Sequence, residues 1–187
     1  MPTPDHPQQP GLAAELLRRM AADQHARGIR EDSNHLPPDY ERMRTLDADN
    51  AEALRRIIRE CGGWPGHSLV GKEAAEGAWL IAQHSDLDLQ LTCLDLLTRA
   101  VDQEEATREQ LALLTDRVLM WQGKPQIYGT QYHLSHDGRE YQLWDVVDPE
   151  HLDRRRASVG LGPHAEYDVI IRQMTANVAP TERTAEP

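Results

Sequence analysis

Residues 72–122 read KEAAEGAWLIAQHSDLDLQLTCLDLLTRAVDQEEATREQLALLTDRVLMWQ, and their apolar spacing sets the class of the whole chain. At ~100° per residue the stretch resolves into three helices. The first spans Lys72 to His84. Ala74, Ala75, Gly77, Ala78, Trp79, Ile81 and Ala82 cover more than half its circumference, and Lys72, Glu76 and Gln83 form the polar stripe. Its small residues let a partner approach closely. The second spans Leu87 to Val101, with Ser85 or Asp86 as N-cap. It is apolar except for a narrow stripe of Asp88, Thr92, Asp95 and Arg99, in which Asp95 and Arg99 are an i,i+4 pair on a solvated edge. The third spans Thr107 to Gln122 and stops at Gly123. Short links make the three antiparallel neighbours, so they are expected to form the core.

The third helix is apolar nearly all round. Leu111, Leu114, Val118 and Trp121 make one stripe, Leu113 and Met120 lie opposite, and Ala112 and Leu119 on a third side. Asp116 and Arg117 therefore have no polar face to occupy. Adjacent helical residues point ~100° apart and cannot satisfy each other. A buried charge without a partner costs several kcal/mol, so each must find one elsewhere. Two readings stay open: core salt bridges to neighbouring elements, or charges lining a pocket.

Outward toward the N-terminus, Leu12 to Arg27 forms a helix closed by Gly28. Gly28 to Asn50 is polar, carries Pro37-Pro38, and reads as a long surface loop with a helical turn near Tyr40 to Thr45. Ala51 to Cys61 is a helix opened by Asp49 or Asn50 and closed by Gly62-Gly63, and Trp64-Pro65-Gly66 is a tight connection. Toward the C-terminus, Ile127 to Ser135 and Glu140 to Val147 flank Asp137-Gly138, a hairpin signal. Helices follow from Pro149 to about Val159 and from Pro163 to about Thr175. The expected fold is mainly α: one domain of about seven helices over 11–175, with one β-hairpin at about 127–147. Residues 1–10 and 176–187 read as a disordered leader and tail.

The composition narrows the function classes. The chain has 187 residues with a formal charge of −11, which repels phosphate backbones and anionic membranes. No stretch approaches the ~20 apolar residues of a membrane span, and no secretory signal is recognisable. Two cysteines, Cys61 and Cys93, do not make a disulfide scaffold. A cytoplasmic protein without nucleic-acid or membrane partners is expected, and its oligomeric state is left open.

Several polar positions carry chemistry. His84 ends a helix, where the dipole favours it without any function, yet its ordinary titration range also suits a general acid or base. Gln83 beside it can orient a polar ligand. In PQIYGTQ (125–131) strand alternation puts Gln126, Tyr128 and Thr130 on one face, and Gly129 marks a close approach to the backbone. Metal spacing is absent: there is no CxxC or HExxH, and His133 and His136 point to opposite faces of a strand. Gly160-Leu161-Gly162 follows Arg154-Arg155-Arg156 rather than a strand, so it is no dinucleotide fingerprint, and no cofactor is expected. The triple arginine reads as a solvated, acid-paired face, with an anion site as the alternative.

The set GWPGHSLVG (63–71), WLIAQHSD (79–86), LTDRVL (114–119), GKPQIYGTQ (123–131), DPEHLDRRRASVGL (148–161) and AEY (165–167) resembles a bacterial domain family of unknown function over roughly residues 47–168. The family often has Ala where this chain has Ser85. The resemblance implies a stand-alone cytoplasmic domain whose signature includes Trp64, Gln83, His84, Asp116, Arg117, Gln126, Tyr128, Gly129, Thr130, Gln131, Arg155, Arg156 and Tyr167. It transfers no reaction. The functional expectation is a metal-independent acid–base enzyme for a polar, anionic small molecule or peptide, with His84 and Tyr128 catalytic and Gln83, Asp116, Arg117, Gln126, Thr130 and Gln131 binding. The alternative is a non-catalytic helical interaction or ligand-binding module.

Overall fold

The computed structural model describes residues 7–30, 36–135 and 140–176. Within them the chain forms α1 (Pro10–Ala26), α2 (Tyr40–Cys61), α3 (His67–Val70), α4 (Lys72–His84), α5 (Leu87–Asp102), α6 (Arg108–Trp121), β1 (Tyr132–Leu134), β2 (Tyr141–Leu143), α7 (Leu152–Ser158) and α8 (His164–Ala176). A 3-10 turn at Pro149–His151 leads into α7. The protein is mainly helical with one antiparallel hairpin, in the register Tyr132–Leu143, His133–Gln142 and Leu134–Tyr141.

The small-residue face of α4 does what its composition predicts. A Cβ on Gly77 would stand 3.1 Å from the Leu16 carbonyl oxygen and 3.3 Å from the Met20 Cβ, so α1 crosses α4 almost backbone to backbone. Its flanking alanines, Ala74, Ala75, Ala78 and Ala82, are buried. The Trp79 indole N–H donates to the Gln110 carbonyl at 3.0 Å, tying α4 to the start of α6. Asp86 caps α5 by accepting from the Leu89 amide at 3.0 Å, and Asp95 and Arg99 form their pair at 2.6 Å on the exposed side. The core extends beyond α4–α6, because α1 and α2 supply Leu16, Leu54 and Ile57, all fully buried. Burying each such side chain contributes roughly 1.5–3 kcal/mol.

Four expectations change. The surface loop ends at Asp39, not Asn50: the Asp39 side chain accepts from the Arg42 amide at 3.0 Å and starts one continuous helix to Cys61. Its first turns lack an apolar stripe because they are held by ions, with Arg19 on Asp49 at 2.6 Å and Arg27 on Asp47 at 2.5 Å. An eighth helix, the four-residue α3, is too short to show a period. The strands are three residues each, and 126–131 is a turn-rich loop joined to Val146 by one isolated bridge at Gln126. Strand alternation therefore does not order Gln126, Tyr128 and Thr130. Pro10, placed in the leader, opens α1, and Ala176, placed in the tail, ends α8. Residues 1–6, 177–187 and the Asp137-Gly138 turn lie outside the described residues.

Replacing Gly77 with Val drives two methyl groups into the α1 backbone. The expected loss is about 3 kcal/mol in a urea titration, against under about 1 kcal/mol for Glu76→Val on the exposed face. Equal losses would refute the close crossing.

Candidate functional site

Asp116 occupies the middle of α6 with no exposed surface. Its carboxylate accepts from the amides of Ile127 (2.7 Å), Tyr128 (3.0 Å) and Thr130 (3.1 Å) and from the Thr130 hydroxyl (3.0 Å). These donors converge because Gly129 turns the chain at φ +65°, the left-handed region that a side chain disfavours. Gln126 closes the same loop from inside. Its Oε1 accepts from Thr130 and Gln131 amides, both at 2.8 Å, and its Nε2 donates to the Gln131 and Trp144 carbonyls. Gln131 Nε2 donates to the Thr130 hydroxyl at 3.0 Å. The carbonyls are claimed from the other side: Arg155 Nε donates to Ile127 O at 2.9 Å and Arg156 Nη1 to Tyr128 O at 2.8 Å.

Arg156 is thus not part of a solvated, acid-paired face, whereas Arg155 keeps Asp148 Oδ2 at 3.8 Å from its Nη1. Arg156 is 2% exposed, also donates to Gly162 O, and lies 5.1 Å over the Tyr167 ring. Their side chains answer backbone oxygens that the turn leaves without strand partners. Asp116, Gln126, Thr130 and Gln131 spend their hydrogen bonds within the chain. Burial pushes the Asp116 carboxyl above its usual range, against the pull of its four donors.

Arg117, the next residue, is oppositely situated. It is mostly buried, and its Nε donates to Gln83 Oε1 at 2.5 Å. Among the described residues no carboxylate is within ion-pair distance, and neither Nη atom has a hydrogen-bond partner. Gln83 is 4% exposed, and its Nε2 is buried without a partner. His84 follows on the same helix end. Its Nδ1 lies 3.2 Å from Asp23 Oδ2 without hydrogen-bond alignment, and its Nε2 keeps access to solvent. Burial holds the His84 imidazole below its usual range, with Arg27 and Arg117 adding to that effect and Asp23 opposing it. His84 is therefore neutral near pH 7 and able to accept a proton.

The structure brings Gln83, His84 and Arg117 together and adds Asp23, Arg27, Asp47 and Tyr167, which sequence reasoning did not place in a site. Asp23 and Arg27 come from α1. Arg27 Nε contacts both Asp23 oxygens, at 3.0 and 3.1 Å, and its Nη2 reaches Asp47. A signal for Asp23 was present: Ala13, Leu16, Met20 and Asp23 follow 3-4-3 spacing, which puts a carboxylate on the buried stripe of α1. Tyr167 influences Arg117 electrostatically and donates its hydroxyl to Thr130 O at 3.2 Å, linking the cluster to the loop. No hydrogen bond joins Tyr128 to His84 or Arg117. Its charged neighbours are Asp116 and Arg155, and burial raises its phenol above the usual range.

Asp23, Asp47 and His84 offer ligand atoms within 4.8 Å of one another, the spacing of a cation site. Arg27 already serves both carboxylates as their cation. His133 is half-buried beside Trp144, and His136 lies outside the described residues. Two open clefts lie elsewhere, one of about 420 Å³ along Asp148, His151, Arg154, Arg155 and Ser158, and one of about 240 Å³ between α2 and α5.

Asp116→Asn keeps the shape but points an amide at the backbone donors. It is expected to cost about 3 kcal/mol in a denaturant titration, since each hydrogen bond to a charged group contributes ~1.5–3 kcal/mol. A loss under 1 kcal/mol would reject the clamp. His84 makes a second prediction. Its folded pKa is lowered, so the unfolded chain binds the proton more readily and stability falls as pH drops below about 6.5. His164 shifts in the same direction and adds to the slope. Melts at pH 7.5 and 5.5 should show a smaller loss for His84→Gln than for the wild type.

No curated protein and no solved structure matches the chain. A family model does, over residues 10–177, which includes α1 with Asp23 and Arg27 as well as the loop and its arginines. The chain belongs to the family of unknown function DUF6624.

Proposed function

We propose that the protein is a small, metal-independent enzyme of the bacterial cytoplasm that uses acid–base chemistry on an anionic small molecule or peptide. Arg117 and Gln83 hold the anion, and His84 moves the proton. The observation that carries this reading is the unanswered donor set at the end of α4. The two Arg117 Nη atoms meet no protein acceptor, and the Gln83 amide nitrogen beside them is buried without a partner. An anion placed there would engage the two Arg117 Nη atoms, the fork geometry that suits a carboxylate. His84 adjoins them as a neutral imidazole whose Nε2 is accessible while Nδ1 faces Asp23, the orientation in which a carboxylate supports an imidazole that gains a proton. Net charge and the lack of a long apolar helix among the described residues support the cytoplasmic reading.

A non-catalytic ligand-binding module is the second reading. It is favoured by the fact that Tyr128, Gln126, Thr130 and Asp116 hold the loop or stand apart from His84. The two separate by mutation. Titrating small organic acids into labelled protein should shift the Gln83 side-chain amide and Arg117 Nε–H signals. Arg117→Met should abolish the Gln83 shifts while costing about 1–3 kcal/mol of stability, because no buried carboxylate loses its partner and only Gln83 Oε1 loses a donor. A loss of 3–5 kcal/mol with no ligand effect would reject the site. For any acid that is turned over, His84→Gln should keep binding and lose turnover; unchanged turnover would leave a binding module.

A further inference from the structure

The cleft of about 420 Å³ at α7 is lined by Asp148, His151, Arg154, Arg155 and Ser158. The last four follow i, i+3, i+4, i+7 spacing, so one face of α7 and its leading turn carries them all. Arg155 is fixed there. Its Nε donates to the Ile127 carbonyl at 2.9 Å, Nη1 to the Asp148 carbonyl at 3.0 Å and Nη2 to the Val147 carbonyl. All three acceptors are neutral, and the Asp148 Oδ2 stands off at 3.8 Å from Nη1. Arg154 is exposed and has neither a hydrogen bond nor an ion pair among the described residues, although Glu150 precedes it by about one helical turn. His151 Nδ1 lies 2.9 and 3.1 Å from the Asp148 carboxylate oxygens, which orients the ring and leaves Nε2 without a partner. Asp148 itself holds a left-handed backbone at φ +45°, pinned by the Arg155 bond to its carbonyl and the His151 contact with its carboxylate.

We propose that this cleft binds the phosphate group of a small phosphorylated molecule. A phosphate monoester carries ~1.5–2 negative charges at pH 7 and three acceptor oxygens. Arg154 brings a charge and a full set of donors that the chain does not use, and Arg155 a second charge held in place by the loop carbonyls. Contacts from separate side chains suit three oxygens, whereas a lone carboxylate needs only one guanidinium fork. Asp148 is the one carboxylate lining the cleft, and His151 answers it. The volume falls within the ~300–1,000 Å³ of small-molecule pockets and leaves room for the rest of the molecule beside its phosphate. A polyanion is disfavoured, because it would meet the repulsion of a chain of charge −11 over a wide surface, while a small ligand meets the local arginines. No cleft residue bonds to Arg117 or Gln83 among the described residues, so this site stands or falls independently of the one at the end of α4.

The test uses the full chain in calorimetry and amide spectra at pH 7.5, with potassium chloride at matched ionic strength as the reference. The probes are glycerol phosphate, inorganic phosphate and acetate. Glycerol phosphate should bind and shift the amides of residues 148–158, and acetate should bind at least about tenfold more weakly. Inorganic phosphate binding more tightly than the ester would overturn the organic moiety. Arg154→Ala removes an exposed side chain with no partner to lose, so it should leave the melting temperature unchanged and weaken phosphate binding at least about tenfold. Arg44→Ala removes the same charge from an exposed position on α2 outside the cleft, and should leave binding as in the wild type. Acetate binding as tightly as either phosphate, equal losses for Arg154→Ala and Arg44→Ala, or no heat and no shift at all would overturn the assignment. Shifts at Gln83 instead of residues 148–158, lost in Arg117→Met, would place the anion at the end of α4 and overturn this cleft while leaving that site standing.

Discussion

A single buried carboxylate organises the C-terminal half of the molecule. Asp116 has no exposed surface and no cationic side chain donating to it; its charge is answered by three amides and one hydroxyl of residues 127–130. Such a group is expensive to bury unless every donor arrives in place. The loop must therefore adopt one path, with Gly129 in the left-handed region, and that path turns the Ile127 and Tyr128 carbonyls outward to Arg155 and Arg156. In this way α6 is joined to α7 through a segment with almost no regular structure.

Two adjacent residues on α6 then find opposite surroundings. Asp116 points to the loop and is satisfied by it. Arg117, about 100° round the helix, points to the end of α4 and is satisfied only at Nε. Burial and the nearby Arg27 disfavour its charge, and the Tyr167 phenol opposes them. Arg117 itself is left with its outer edge free.

The close crossing of α1 and α4 at Gly77 makes this arrangement possible. It lets α1 run past the C-terminal end of α4, so that Asp23 reaches His84 at 3.2 Å. A histidine at a helix end would otherwise be a solvated group responding only to the dipole. Backed by a carboxylate and desolvated by α1, it becomes a neutral base at ordinary pH.

Periodicity and punctuation were enough for α4, α5 and α6, whose apolar faces, caps and glycine stops are local properties of residues 72–123. They also showed that Asp116 and Arg117 sat where charge is improbable, which is why both emerged as candidates. What they could not show was each charge's partner. The choice between backbone donors for Asp116 and an open edge for Arg117 depends on segments 10–100 residues away in the chain. The long α2 was hidden because its first turns are held by ion pairs to α1 rather than by an apolar stripe. The residues of loop 126–131 have strand propensity, and tertiary hydrogen bonds to Asp116 and the two arginines override that preference. Local composition determined which residues were helical and which polar groups were out of place; only the packing of α1 on α4 and of the loop on α6 decided which of those groups find partners within the chain and which do not.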